Sequence, residues 1–162
     1  MLRAASVGGG VQFRCAIVGY QFPESQADDW CLVEVALEQG PDTFQTVDPA
    51  LEAADLLRVR DWFHCLATER LPRRAHLSFI EPCLGFEYIS RSDAGIRLGV
   101  HLAAELAPPF PLTQFSATSR QWQIVFELDS SSLLGVVAEL DDTIRRFPIR
   151  SRSFRGWRCW MA

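Results

Sequence analysis

Apolar and polar residues alternate along much of the chain, with the period of two that is typical of a half-buried β-strand. The first alternating segment begins at Val11 and runs to residue 17. A second segment covers residues 30–37, and residues 43–47 follow a Gly-Pro-Asp turn as a short third strand. The first part of the chain is therefore predicted to be a run of three strands.

Two other segments have the three-to-four-residue spacing of amphipathic helices. The first helix is predicted to begin with Asp48 as its N-cap and Pro49 at the first helical position, and to end before Pro72. The second follows a predicted N-cap at Asp129 and ends at Pro148. Each helix has one continuous apolar stripe, so each is expected to pack on a sheet.

Strands cluster between the two helices rather than alternating with them. Four more alternating segments occur there, at residues 77–79, 84–88, 96–106 and 122–128. The order β-β-β-α-β-β-β-β-α favours antiparallel pairing over βαβ units. We therefore expect an α+β fold in which two main helices pack on an antiparallel β-sheet of about six to seven strands.

The 162 residues are about the length of one domain. Residues 11–149 are predicted to form a single α+β domain, after a flexible N-terminal lead-in of residues 1–10 and before an Arg/Trp-rich C-terminal extension of residues 150–162. No apolar stretch reaches the ~20 residues of a membrane-spanning helix, and the five cysteines form no CxxC pair. The protein is therefore expected in the cytoplasm, with reduced thiols and no membrane contact.

The formal net charge of −4 conceals two regions of opposite sign. Residues 145–162 contain six arginines and no acid, a net charge of +6. Residues 1–144 contain ten arginines and all 20 acidic residues, a net charge of −10. We call residues 1–144 the acidic body. Its charge disfavours binding to nucleic acid, because nucleic-acid binding depends on basic residues that neutralise phosphates. It favours a basic protein partner, or serves only to keep the surface soluble.

The sequence has none of the common phosphate-binding or catalytic motifs, such as GxGxxG, GxxxxGK[ST] or GxSxG. Its three histidines, His64, His76 and His101, are scattered, and no two of them have metal-ligand spacing. His64 and Cys65 are neighbours on a predicted helix and point about 100° apart, so they cannot form a nucleophile–base pair. We therefore predict no enzymatic activity, no metal and no cofactor.

The residues alone leave two other functions open. Glutamates on or beside the strands could gather on one open sheet face, as in a hydrolase or a small-ligand-binding protein that uses carboxylates. They are Glu34, Glu38, Glu81, Glu87, Glu105 and Glu127. The arginines and aromatic residues of the C-terminal extension could instead form a nucleic-acid-binding module, since arginine pairs with phosphates and aromatic rings stack on bases.

Several segments, taken in order, are similar to those of one known family. They are Gly19-Tyr20-Gln21-Phe22-Pro23, Asp28-Asp29-Trp30-Cys31-Leu32, Asp48-Pro49-Ala50-Leu51, Phe79-Ile80-Glu81-Pro82-Cys83-Leu84-Gly85-Phe86-Glu87, Glu105-Leu106-Ala107-Pro108-Pro109 and Arg146-Phe147-Pro148-Ile149-Arg150. In this order the chain resembles the WapI-type immunity proteins over residues 12–150. It departs from their pattern where Asp29 and Cys83 stand in place of asparagine and where Cys31 follows Trp30.

The resemblance implies a cytoplasmic immunity protein with no catalysis of its own. Its partner would be the nuclease-type C-terminal domain of a contact-delivered toxin, a basic protein that the acidic body would attract; a homodimer stays open. The predicted toxin-binding residues come from the acidic loop and from neighbouring strands: Asp28, Asp29, Trp30, Glu34, Glu38, Glu81 and Glu87. The acids would steer association, and Trp30 would be the aromatic anchor.

Overall fold

A computed structural model describes residues 1–112 and 122–150 of the chain. These residues form eight strands, two α-helices and a 3₁₀ turn at Ala104–Leu106. The elements are β1 (Leu2–Ala5), β2 (Gln12–Tyr20), β3 (Trp30–Gln39), β4 (Asp42–Glu52), α1 (Ala53–Ala67), β5 (His76–Ser78), β6 (Leu84–Ser92), β7 (Gly95–Leu102), β8 (Trp122–Leu128) and α2 (Ser130–Arg146). The predicted α+β class is confirmed, with eight strands in the described residues instead of six to seven.

The strands form two antiparallel sheets of four. The first sheet has the order β1-β2-β3-β4 and the second has the order β5-β6-β7-β8. The two sheets meet where Ser6 bridges to Phe126 and the Val7 N–H donates to the Val125 carbonyl at 2.9 Å. Every neighbouring pair of strands is antiparallel, as the clustered strand order predicts.

The core is built from one face of each sheet and one stripe of each helix. On β3, the odd-numbered apolar residues between 31 and 37 are almost completely buried, so the even-numbered residues face away from the core. Phe86 on β6 contacts the rings of Trp62 and Phe63 on α1 and of Phe79. These aromatic contacts pack α1 against the second sheet, and the outer faces of both sheets are left for other roles.

The predicted start of the first helix at Asp48 is wrong. Asp48 and Pro49 belong to β4, which continues to Glu52, and α1 begins at Ala53. Because β4 is the edge strand of the first sheet, a proline that lacks an N–H is tolerated there. The helix is capped four residues later than predicted, where Asp55 Oδ2 accepts from the Glu52 backbone N–H at 3.2 Å.

The start of α2, in contrast, is confirmed. Asp129 is its N-cap, and Asp129 Oδ1 accepts from the Ser132 backbone N–H at 2.7 Å. Hydrogen bonds from Ser132 and Ser131 lower the pKa of Asp129, because they stabilise the carboxylate form. The helix ends at Arg146, two residues before Pro148.

The sequence pattern also missed one strand and placed the end of another too late. Strand β1 lies inside the predicted lead-in of residues 1–10, where Leu2 is buried and pairs with Cys15 of β2. A strand of four residues is too short for its alternation to be recognised. Strand β7 ends at Leu102 rather than 106, because Ala104 has a φ of 47° and turns the chain into the 3₁₀ segment.

Candidate functional site

The structure distributes the seven predicted contact residues over four places. Trp30, Glu34 and Glu38 are even-numbered residues of β3 and share its outer side. Asp28 and Asp29 lie in the loop that leads into β3, Glu81 lies in the loop before β6, and Glu87 lies on β6 itself. The acidic residues therefore do not form one continuous patch, and each group has a different environment.

The outer side of β2, β3 and β4 carries exposed apolar residues next to the predicted acids. Val18 and Val47 are 46% and 47% exposed, and Val47 pairs with Glu34 across the strands. Ala16 pairs with Glu34 from the other side, and Leu32 pairs with Pro49. We call this surface the first-sheet face and define it as Ala16, Val18, Trp30, Leu32, Glu34, Ala36, Glu38 and Val47.

The two acids of the first-sheet face differ in how much of their charge is available to a binding partner. Glu34 forms an ion pair of 2.7 Å with Arg14 and accepts a hydrogen bond of 2.7 Å from Gln45 Nε2. Its charge is thus largely neutralised inside the chain. Glu38 is exposed and lines a shallow hollow with Arg3 and Gln12 at the β1 end of the face. Exposed apolar residues with a charged rim are typical of a protein-binding surface.

The acidic loop is occupied by the chain's own C-terminal segment. Asp29 is 8% exposed, and its Oδ1 accepts from the Arg150 backbone N–H at 2.6 Å. The Arg150 guanidinium donates to the carbonyls of Phe22, Pro23 and Asp28 and lies over the Tyr20 ring at 3.5 Å.

The Tyr20 hydroxyl completes these contacts by donating to the Pro148 carbonyl at 2.5 Å. We call the segment Pro148–Arg150 the C-terminal latch, because these contacts attach it to the acidic loop and to Tyr20. Residues 151–162, which carry the rest of the predicted nucleic-acid-binding extension, lie outside the described residues. The described part of that extension, Arg150, is bound to the body.

Glu81 belongs to an acidic group around Cys83. Burial, together with the charges of Glu105 and Glu81, raises the pKa of Asp48 above its ordinary value. Burial and the charge of Asp48 also raise the pKa of Cys83 to about 11, so this thiol is protonated at neutral pH. The negative charges repel one another, and a cationic partner would relieve this repulsion.

The raised pKa of Asp48 predicts that replacing it with asparagine stabilises the protein at neutral pH. A carboxyl whose pKa is higher in the folded state favours folding only at low pH, and this contribution is lost as pH rises through its folded pKa. Asp48→Asn should therefore raise the free energy of unfolding at pH 7, with a gain that shrinks as pH falls into the acidic range. Urea unfolding at a series of pH values measures this, with Asp42→Asn on the same strand as the control. An equal gain at every pH would contradict the electrostatic cause.

A second polar group lies on the outer side of the second sheet. Glu87 Oε2 is 3.1 Å from His101 Nε2 and accepts a hydrogen bond of 2.6 Å from Gln123 Nε2. The rings of His76 and His101 have centroids 5.2 Å apart. We call His76, Glu87, His101 and Gln123 the second-sheet cluster.

The sequence pattern did not indicate that His76 and His101 lie together. They are 25 positions apart, and only the strand pairing shows that both lie beside Glu87. In the sequence, each histidine has only a polar position on or beside a predicted strand, and this position does not relate one histidine to the other. The alternative in which the glutamates gather on one sheet face does not hold for all of them, since Glu34 and Glu38 lie on the first sheet while Glu87 and Glu127 lie on the second.

The described residues form an α+β fold in which the outer side of the first sheet carries exposed apolar residues beside charged ones. The model of the Immunity protein WapI-like family matches residues 5–148. The chain belongs to this family, and the match extends from the end of β1 to just beyond α2. No curated protein matches the chain. Neither α1 nor α2 is long and apolar enough to cross a membrane.

Proposed function

We propose that this protein is a cytoplasmic immunity protein that binds and neutralises the nuclease-type C-terminal domain of a contact-delivered toxin. The observation that carries the proposal is the match to the WapI-like immunity family over residues 5–148. Such a protein acts by stoichiometric binding and needs no catalytic residues of its own. The proposal thus agrees with a sequence that has no common catalytic motif.

The charge of the body supports a basic partner. Residues 1–144 carry a net charge of −10 in the sequence. A nuclease domain tends to be basic because it holds a polyanion, so the two proteins would attract each other over several ångströms. Such attraction raises the association rate and is screened by salt.

We propose the first-sheet face as the surface that contacts the toxin. Val18 and Val47 supply exposed apolar area on the two sides of β3, and Glu38 supplies a negative charge at the rim of the face. Trp30, half-buried at the start of β3, is the proposed aromatic anchor. Interfaces gain affinity from apolar contacts and specificity from the charged groups beside them.

The remaining predicted residues have supporting roles in this proposal. Asp28, Glu81 and Glu87 add to the negative field that steers a basic toxin. The Asp29 carboxylate accepts a hydrogen bond from the Arg150 backbone N–H of the C-terminal latch. Through this bond it positions the acidic loop beside the first-sheet face. The acids near Asp48 add further negative charge close to the edge strand β4.

Calorimetric titration against the toxin domain encoded beside this protein's own gene tests the proposal. We expect one-to-one binding with nanomolar affinity that weakens as salt is raised from low to moderate concentration. Nuclease activity of the toxin should fall in proportion to the protein added and reach zero at one equivalent.

A toxin domain from an unrelated system is the control and should not bind. Absence of binding at micromolar concentrations to a folded cognate domain would contradict the proposal. Inactivation of many toxin molecules by one molecule of this protein would also contradict it, because that result requires catalysis.

A further inference from the structure

We propose that the second-sheet cluster is a binding site for one divalent transition-metal ion of the zinc class, with His76, Glu87 and His101 as ligands. One potential ligand atom from each of these residues lies within 4.8 Å of the others. Ligands of a tetrahedral ion with bonds of about 2.0–2.1 Å are about 3.4 Å apart, so small side-chain rotations would complete the site. The proposal concerns the protein alone and does not depend on toxin binding.

The pairing of three strands creates this group. His76 of β5 is directly opposite Glu87 of β6, and Glu87 is opposite Gly99 of β7. His101 is two residues from Gly99 and so lies on the same side, diagonal to Glu87. Three ligands from three neighbouring strands are held by backbone hydrogen bonds, which gives the site a rigid base.

Two glycines provide the space in which these side chains converge. Gly85 is opposite His101, and a Cβ atom there would lie 3.7 Å from His101 Cβ and 3.8 Å from His76 Cε1. A Cβ atom on Gly99 would lie 2.3 Å from Gln123 Nε2, so Gln123 crosses directly over this position. Glycine weakens a strand interior and often marks a place where another group approaches closely. Here both glycines lie beside the proposed ligands.

The donor set and its exposure determine the class of ion. Two imidazoles and one carboxylate suit zinc and similar transition metals, whereas magnesium and calcium prefer oxygen ligands. His76 is exposed, so a further coordination position can be filled by water or by a partner. His101 Nε2 lies 3.1 Å from Glu87 Oε2 and 3.3 Å from Gln123 Nε2, so an ion bound between His101 and Glu87 would displace the Gln123 amide.

Titration of the full chain with zinc chloride under reducing conditions tests the site. We expect one ion per chain with a dissociation constant in the low micromolar range or below, and no binding of magnesium under the same conditions. His76→Gln, Glu87→Gln and His101→Gln should each weaken zinc binding at least about 10-fold. His64→Gln is the matched control, since His64 is exposed on α1 outside the cluster, and it should leave the affinity unchanged.

Gly85→Val provides a test that is independent of ligand removal. Valine suits a strand, and the space at Gly85 accepts a Cβ, so the variant should fold. Its branched side chain would occupy the space between the two histidines, so zinc affinity should again fall at least about 10-fold. Equal zinc affinity in the parent, His76→Gln and Gly85→Val proteins would assign the ion to cysteines or other groups and overturn the proposal.

Discussion

Replacing Val47 with arginine is expected to weaken binding of the cognate toxin domain by about 100-fold, or about 2.7 kcal/mol. Val47 is an exposed apolar residue on the β4 side of the first-sheet face, next to Glu34, so a long cation there would disturb apolar packing and repel a basic partner. The side chain is 47% exposed, and the free energy of unfolding should therefore change by no more than about 0.5 kcal/mol. Calorimetric titration and urea unfolding of the same preparations measure both quantities.

Two variants separate the contact from the change in net charge. Leu134→Arg adds the same charge at an exposed apolar residue of α2, away from the first-sheet face, and should retain affinity within about 3-fold. Val47→Glu disturbs the same packing but keeps the attractive sign, so it should lose less affinity than Val47→Arg. Equal affinities for Val47→Arg and Leu134→Arg would place the toxin on another surface.

Replacing Asp29 with alanine is expected to lower the free energy of unfolding by about 2 kcal/mol, because the C-terminal latch loses its central hydrogen bond. The buried carboxylate accepts the Arg150 backbone N–H at 2.6 Å, and alanine leaves that donor unpaired. Burial and then the charges of Asp55 and Asp29 raise the pKa of Glu52, so removing Asp29 relieves part of this repulsion and moderates the loss. In a chain of this size the change corresponds to a decrease of about 4–8 °C in Tm.

Asp29→Asn and Arg150→Ala are the companion variants for this prediction. Asparagine keeps an oxygen that can accept the same hydrogen bond, so its loss should be smaller than that of alanine. Arg150→Ala removes the guanidinium contacts with the carbonyls and with Tyr20. Because both alanine variants release one segment, the double variant should lose less than the sum of the single losses. Full additivity would show that the latch does not act as a unit.

Features that depend on short sequence distances were predictable. The alternation in residues 30–37 predicted β3 and its buried side, and Asp129 predicted the start of α2. The clustered strand order predicted antiparallel pairing and the α+β class. Each of these features follows from the period of side-chain directions or from a hydrogen bond between residues three positions apart.

The site was only partly predictable, because its contacts join residues that are far apart in the sequence. The alternation placed Trp30, Glu34 and Glu38 on one side of β3, but it carried no information that Arg14 neutralises Glu34 or that Arg150 covers Asp29. These contacts join residues 20 and 121 positions apart, and no local pattern records them. Burial and pairing of an acid depend on which distant segment packs against it.

The sequence by itself determined the fold class, the inner and outer sides of the central strands, the start of α2 and the separation of charge along the chain. Tertiary structure alone decided the edge position that lets Pro49 remain in a strand and the pairing that brings His76, Glu87 and His101 together. The physical reason is that side-chain alternation specifies the side on which a residue lies but not its neighbour across the sheet. That neighbour is selected by the packing of all strands and helices on one core.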